Sequence, residues 1–245
     1  MIYIKKQDTP PKEFLDAIAG LENYGDLQVE KREIITKLLL AEQGGLCAIC
    51  ERSSTRFSPT IEHFLPQSIF LALQLNYYNL YVACHICNGK KAHHLIPPYI
   101  FDPRFSPFYN IFDARKGVKP HFEEADGKCR ISVPAATISP KKISAEHYSS
   151  YILNATLDLM EQNRYEGGEN DSSSLILLRG VVWKTCIDKL HKNNWTDEEL
   201  LRKYQSMKNS SEYPDFISLI TFLFAKQIER RKGLKDEFIR RGLLS

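Results

Sequence analysis

Apolar positions mark the elements before any chemistry is considered. Phe14, Leu15, Ile18 and Leu21 recur at helical spacing. Thr9 followed by Pro10 reads as an N-cap with proline at the first helical position, and Gly20 and Gly25 punctuate the end. Residues 1–8 are short, β-prone and basic, an edge strand or an arm. A second helix is predicted from Leu27 to Gln43, with Asp26 as cap, the stripe Ile34, Ile35, Leu38 and Leu39, and Gly44-Gly45 as the stop. It leads straight into Cys47. Ser53, Ser54 and Thr55 fall in a turn, and Thr60 to Leu65 is a β-prone run closed by Pro66, which puts Glu62 and His63 at a strand end on a hairpin with the Cys47 region. Ser68 to Leu75 has room for one or two helical turns. Tyr81 to Ala83 is a short apolar lead-in to the second cysteine pair, and a helix is predicted from Asn88 to Leu95, closed by Pro97-Pro98.

The pattern then changes twice. Residues 99–138 carry scattered prolines among aromatics, and Asp126-Gly127 sits between two candidate strands as a hairpin signal. A small antiparallel β layer beside the cysteines is expected. From Ser139 onward the spacing is helical. Tyr148, Tyr151, Ile152, Ala155 and Leu159 share one face, and Gly167 to Ser174 is a polar loop. Leu175, Leu178, Val182, Cys186 and Leu190 form another stripe, in which Gly180 is a weak point of about 1 kcal/mol relative to alanine. Thr196 to Glu199 is a capping box, flanked by Trp195 and Leu200 in staple positions. Pro214 can open a last helix, apolar nearly all round from Phe216 to Phe224, hence buried in the chain or against a partner. The tail from Lys226 to Arg241 carries an excess of Lys and Arg, a solvated face or a nucleic-acid contact. The fold class is α+β. Three regions are expected: 1–30 an N-terminal arm and helix, 31–138 a cysteine-stapled module with its β hairpin, and 139–245 a helical region suited to partner docking.

Composition narrows the class only modestly. The chain has 245 residues, 43% of them hydrophobic, with a net charge of +3. That suits a globular protein with a core, and the charge alone does not argue for nucleic acid. No run approaches the roughly 18 apolar residues of a membrane span, and the N-terminus has no signal-peptide pattern. Of six cysteines, Cys129 and Cys186 stand alone and read as buried thiols, a pattern that fits a reducing cytoplasm.

The other four cysteines carry the chemistry. Cys47-x-x-Cys50 and Cys84-x-x-Cys87 each aim two thiolates at one ion, and together they complete a closed tetrahedral Zn²⁺ site. Such a site staples structure and is silent on function. Between the pairs lies Glu62-His63, and Asn88 directly follows the last thiol. A carboxylate and an amide oxygen suit a hard cation, and an imidazole suits a general base. Because neighbouring strand residues face opposite ways, these two need a bulge or a strand end to serve one ion. Each residue also has a bland role: a structural histidine, a helix cap at Asn88, a turn at Asn79, and a wet helix face at Lys90, Lys91, His93 and His94. His85 is expected to be exposed and without a role.

Glu62-His63-Phe64-Leu65-Pro66, Asn79-Leu80 and Cys87-Asn88-Gly89-Lys90-Lys91, framed by four cysteines, resemble the HNH nuclease motif. The resemblance implies a ββα-metal fold clasping one divalent cation. His63 would be the general base, with Glu62 and Asn88 on a catalytic Mg²⁺ or Mn²⁺. Asn79, also of the catalytic set, would hold the loop that orients His63. Glu62 stands where the family often has aspartate, and Asn88 where it often has histidine. Beside a phosphate site, Lys90, Lys91, His93 and His94 would cradle the DNA backbone.

Lys37 to Glu51, Ile61 to Ser68 and the helical second half are similar to PtuB, the HNH subunit family of Septu anti-phage systems, whose type also accompanies some retrons. That implies an ABC-type ATPase partner (PtuA-like) or a retron reverse transcriptase complex. The chain itself has no phosphate-binding Gly-x-x-x-x-Gly-Lys-Ser/Thr loop. From the residues alone, a zinc-stapled binding module without catalysis and a nuclease acting on RNA remain alternatives.

Overall fold

The computed structural model describes residues 4, 6–91, 119–132, 175–209, 217–231, 233, 236, 239 and 240. Two prolines decide where the first helix begins. Pro10 precedes Pro11 and is thereby pushed out of the helical region. Helix α1 therefore spans Lys12–Ile18, with Pro11 rather than Thr9 in the cap position and no side-chain cap. Ile4 and Lys6 are buried and lie outside any strand, so at these positions the N-terminus is an arm packed inward.

Helix α2 spans Val29–Glu42. Asp26 does not cap it, because Tyr24–Asp26 forms a 3₁₀ turn and Gln28 takes the cap position. Gly44 and Gly45 end it in left-handed conformations (φ 61° and 76°), which glycine adopts without steric cost. Ile35 and Leu39 are buried, Leu38 is half-buried and Ile34 is exposed, so the buried stripe is narrower than predicted.

Strand β1 (Pro59–His63) pairs antiparallel with β2 (Leu80–Cys84), in register from Pro59 opposite Cys84 to His63 opposite Leu80. The ladder runs through His63 without a bulge, and Phe64 N still donates to Asn79 O (2.9 Å); the partner of β1 is β2 and not, as expected from the sequence, the Cys47 region. All five β2 residues are buried, as expected of a strand covered on both faces. Ile61, Leu80 and Val82 pack with Phe14, Ile35 and Leu39 of α1 and α2. Tyr81 and Ala83 join the four cysteines in a second core with Cys129, Cys186, Leu190, Leu200 and Leu223. Gln43, fully buried, ties α2 to this hairpin. Its Nε2 donates to Leu46 O (2.8 Å) and Val82 O (2.9 Å), and its Oε1 accepts from Val82 N (2.7 Å).

Helix α3 spans His85–Lys91, three residues earlier than the predicted start. The Cys84 sulfur accepts from Cys87 N (3.4 Å), the bond that a capping side chain makes to the third residue of a helix. The cysteine turn is thus also the first helical turn. His85 is exposed.

A second hairpin pairs β3 (Lys119–Glu123) with β4 (Lys128–Ser132) through the Asp126-Gly127 turn. Helix α4 (Leu175–Lys192) packs on β4. Gly180 lies so close to that turn that a Cβ there would come within 1.8 Å of Gly127 O. The glycine is a packing requirement, not the weak point that the sequence implies. The Cys129 and Cys186 thiols are buried, and burial pushes Cys186 up to about 11.

Helix α5 (Asp197–Asn209) has the capping box in place: Thr196 N donates to Glu199 Oε2 (2.8 Å) and Glu199 N to Thr196 Oγ1 (3.3 Å). Helix α6 (Ile217–Glu229) buries Leu219, Leu223, Phe224 and Ile228 and packs against α4 and α5. In the basic tail, Lys226 and Arg230 are exposed, while Arg231 pairs with Asp197 at 2.7 Å. The elements predicted at 92–118 and 139–174 and the opening at Pro214 lie outside the described residues. The described architecture is α+β, and among its residues no helix is long and apolar enough to cross a membrane.

Candidate metal and catalytic centre

Four buried sulfurs form the first part of the site. Cys47 and Cys50 come from the turn after α2, and Cys84 and Cys87 from the β2–α3 junction. One Sγ from each lies within 4.8 Å of the others, with Cys50 and Cys84 at 4.0 Å. A tetrahedral Zn²⁺ with bonds of about 2.3 Å would set the sulfurs roughly 3.8 Å apart. The donor set and its spacing therefore fit a thiophilic tetrahedral cation. Cys50 N and Cys84 N point at Cys47 Sγ (3.5 and 3.3 Å), which favours thiolate there. Hydrogen bonds from Cys47, Cys50 and Cys87 hold the Cys84 thiol far below its usual range. Glu51 closes the first cysteine turn in the left-handed region (φ 64°).

The second part lies along β1. Asn88, one residue past the last sulfur, reaches back across α3. Its Nδ2 donates to Thr60 Oγ1 (3.0 Å) and Ile61 O (3.2 Å). By strand alternation Thr60 and Glu62 share a face, so Asn88 meets the face of β1 that carries Glu62. Glu62 and His63 are buried, at 5% and 7% exposure. His63 Nε2 lies 3.0 Å from Gln74 O. A carbonyl only accepts, so Nε2 carries the proton and Nδ1 is the basic nitrogen. The His63 ring meets Tyr24 edge-on, with centroids 4.8 Å apart. Glu62 also acts on Tyr24: burial chiefly raises this phenol, Arg32 opposes that, and the Glu62 charge adds to it.

Asn79, 3% exposed, spans the loop between the strands. Its Oδ1 accepts from Leu65 N (2.8 Å), and its Nδ2 donates to Leu65 O (3.0 Å) and Leu73 O (3.1 Å). The side chains of Lys90 and Lys91 in α3 are not among those described, and His93 and His94 lie outside the described residues.

No family model matches the chain. The Septu protein PtuB of Bacillus thuringiensis is 30% identical to it over 98 residues, a stretch covering 38% of this chain and 38% of that protein. The chain is similar to a Septu protein. The likeness spans well under half of either sequence, so it supports a PtuB-like relationship and no finer assignment.

Sequence reasoning passed over Tyr24 and Gln74 at this centre. Neither sits in a motif, and Tyr24 lies about forty residues before His63, so only the folded chain brings them together. The weak available signal was the break between the first two helices at Gly20 and Gly25, which leaves a short polar segment to fold over the hairpin end.

Proposed function

We propose that this chain is a metal-dependent HNH DNA endonuclease, the effector subunit of a Septu-like anti-phage system controlled by an ATPase partner. The observation that carries the proposal is the pairing of His63 Nε2 with Gln74 O at the end of a strand whose flank is gripped by Asn88. In that tautomer Nδ1 carries the ring's basic lone pair, the atom that would take a proton from an attacking water. Glu62 and the Asn88 amide oxygen would hold Mg²⁺ or Mn²⁺, since a carboxylate and an amide suit a hard cation. Such an ion, when bound, offsets charge on the phosphate and the departing 3′ oxygen. Asn79 closes the loop that presents Gln74 to His63. Zn²⁺ on Cys47, Cys50, Cys84 and Cys87 would fix the base of α3 and hence Asn88. Lys90, Lys91, His93 and His94 would line the DNA backbone, and the helical region 139–245 would dock the ATPase. The PtuB likeness supports the defence setting.

A plasmid-nicking assay tests the reading. Wild-type protein with Mg²⁺ should nick, EDTA should stop it, and His63→Ala should abolish nicking with zinc content unchanged. Nicking by His63→Ala at the wild-type rate overturns the assignment. Metal-independent binding without nicking would indicate a binding module, and digestion of tRNA but not plasmid an RNA nuclease.

A further inference from the structure

His63 pairs with Leu80 at the end of β1, and Phe64 N donates to Asn79 O (2.9 Å) just beyond it, so the hairpin fixes the backbone that carries the imidazole. The contacts of the imidazole with Gln74 and Tyr24 both trace to one segment. Gln74 offers its carbonyl to His63 Nε2, and its side chain is fully engaged elsewhere. Its Oε1 accepts from Tyr24 N (3.1 Å), and its Nε2 donates to Glu22 O (3.1 Å) and Asn23 Oδ1 (3.2 Å). Tyr24 supplies the edge-on wall, its ring plane turned 83° from the imidazole. The segment is itself anchored. Leu27 N donates to Tyr24 O (3.1 Å) and Leu27 is buried against α2. Arg32 donates to Leu27 O (3.3 Å) and lies 5.4 Å over the Tyr24 ring.

We infer that Gln74 and Tyr24 are positioning residues for His63, a clamp through which the segment joining α1 to α2 sets the imidazole's tautomer and plane. This rests on the nuclease reading for its consequence in turnover, but not for its geometry. Hydrogen bonds of partly exposed side chains contribute about 1 kcal/mol each, so loss of the Gln74 amide should be tolerated by the fold. A base turned away from its water is tolerated far less: small misplacements reach about 100-fold in rate.

The test uses the full metal-loaded chain with ¹⁵N-histidine, His63 being assigned from the signal lost in His63→Ala. Long-range ¹H–¹⁵N spectra of the neutral ring should show wild type wholly as the Nε2–H tautomer. Gln74→Ala and Tyr24→Ala should each show mixed tautomers, while Tyr24→Phe, which keeps the ring, should match wild type. In plasmid nicking, Gln74→Ala should lower kcat by about 10- to 100-fold with KM within about twofold. Retention of the pure Nε2–H form and wild-type kcat in both alanine variants would overturn the inference. If wild type nicks nothing, the spectra still decide the clamp, and the failure belongs to the nuclease reading. Should Gln74→Ala unfold, Tyr24→Ala against Tyr24→Phe carries the same comparison.

Discussion

Replacing Asn79 puts a number on how the loop between β1 and β2 is held. The side chain is 3% exposed and makes three hydrogen bonds of 2.8 to 3.1 Å, two to Leu65 and one to Leu73. Asn79→Ala removes all three and leaves partly buried backbone groups of Leu65 and Leu73 without them. At about 1 kcal/mol net for each bond, the loss should be about 3 kcal/mol. A domain with about 5–15 kcal/mol of stability survives that, so the variant should be folded at room temperature. Asn79→Asp is the sharper change. Its carboxylate can still accept from Leu65 N, but it sets a second oxygen against Leu65 O and Leu73 O. It should therefore lose at least as much as alanine. Urea unfolding of the metal-loaded protein, followed by tryptophan fluorescence, measures both values. Nicking should fall as well, because Gln74 belongs to the same loop. A loss below about 0.5 kcal/mol for Asn79→Ala, the size of an ordinary surface change, would refute the reasoning.

Three further perturbations separate the remaining claims. Cys84→Ser should abolish stoichiometric zinc and leave the chain poorly folded, since apparent binding energies of structural zinc run to about 10 kcal/mol or more, whereas Cys129→Ser should keep its zinc; elemental analysis with circular dichroism checks both. Gly180→Ala, normally worth about 1 kcal/mol in favour of a helix, should instead destabilise by about 1–3 kcal/mol because its Cβ meets Gly127 O, as denaturant midpoints would show. Burial, partly opposed by Glu42, lowers Lys6 to about 8. Between that value and the ordinary lysine pKa, the unfolded chain holds a proton that the folded chain has released. Wild-type stability relative to Lys6→Met should therefore rise by about 1.4 kcal/mol per pH unit across that window, and an unchanging difference would count against the burial of Lys6.

Local signals made much of this fold legible. The capping box at Thr196 and Glu199, the Asp126-Gly127 hairpin and the Gly44-Gly45 stop each depend on residues a few positions apart, and each is present. The strand at Thr60 to Leu65 was legible from its β-prone run, but its partner was not: the sequence pointed to the Cys47 region, whereas β2 pairs with it. Boundaries failed where an unusual group did the terminating. Pro10-Pro11 delayed α1, and the Cys84 sulfur started α3 three residues early by acting as a cap. What stayed hidden is non-local. Gln43, Gln74 and Lys6 look like ordinary polar residues in the sequence, and their roles exist only because Val82, His63 and Glu42 arrive from elsewhere in the chain. Gly180 was misjudged for the same reason, since its necessity comes from the Gly127 carbonyl. At the candidate centre, the cysteine spacing gave the sulfur cluster directly. The expected bulge is absent: Glu62 and His63 pair in regular register with Tyr81 and Leu80 at the last two positions of β1.

The account depends on two distinct metal positions, one among the four sulfurs and one between Glu62 and Asn88 beside His63. Anomalous diffraction from a crystal soaked in Mn²⁺ addresses this directly. The predicted result is a manganese peak roughly 2.2 Å from a Glu62 carboxylate oxygen and the Asn88 amide oxygen, separate from a zinc peak at the centre of the sulfur cluster. A single peak among the sulfurs, with Glu62 and Asn88 bare at saturating Mn²⁺, would contradict it.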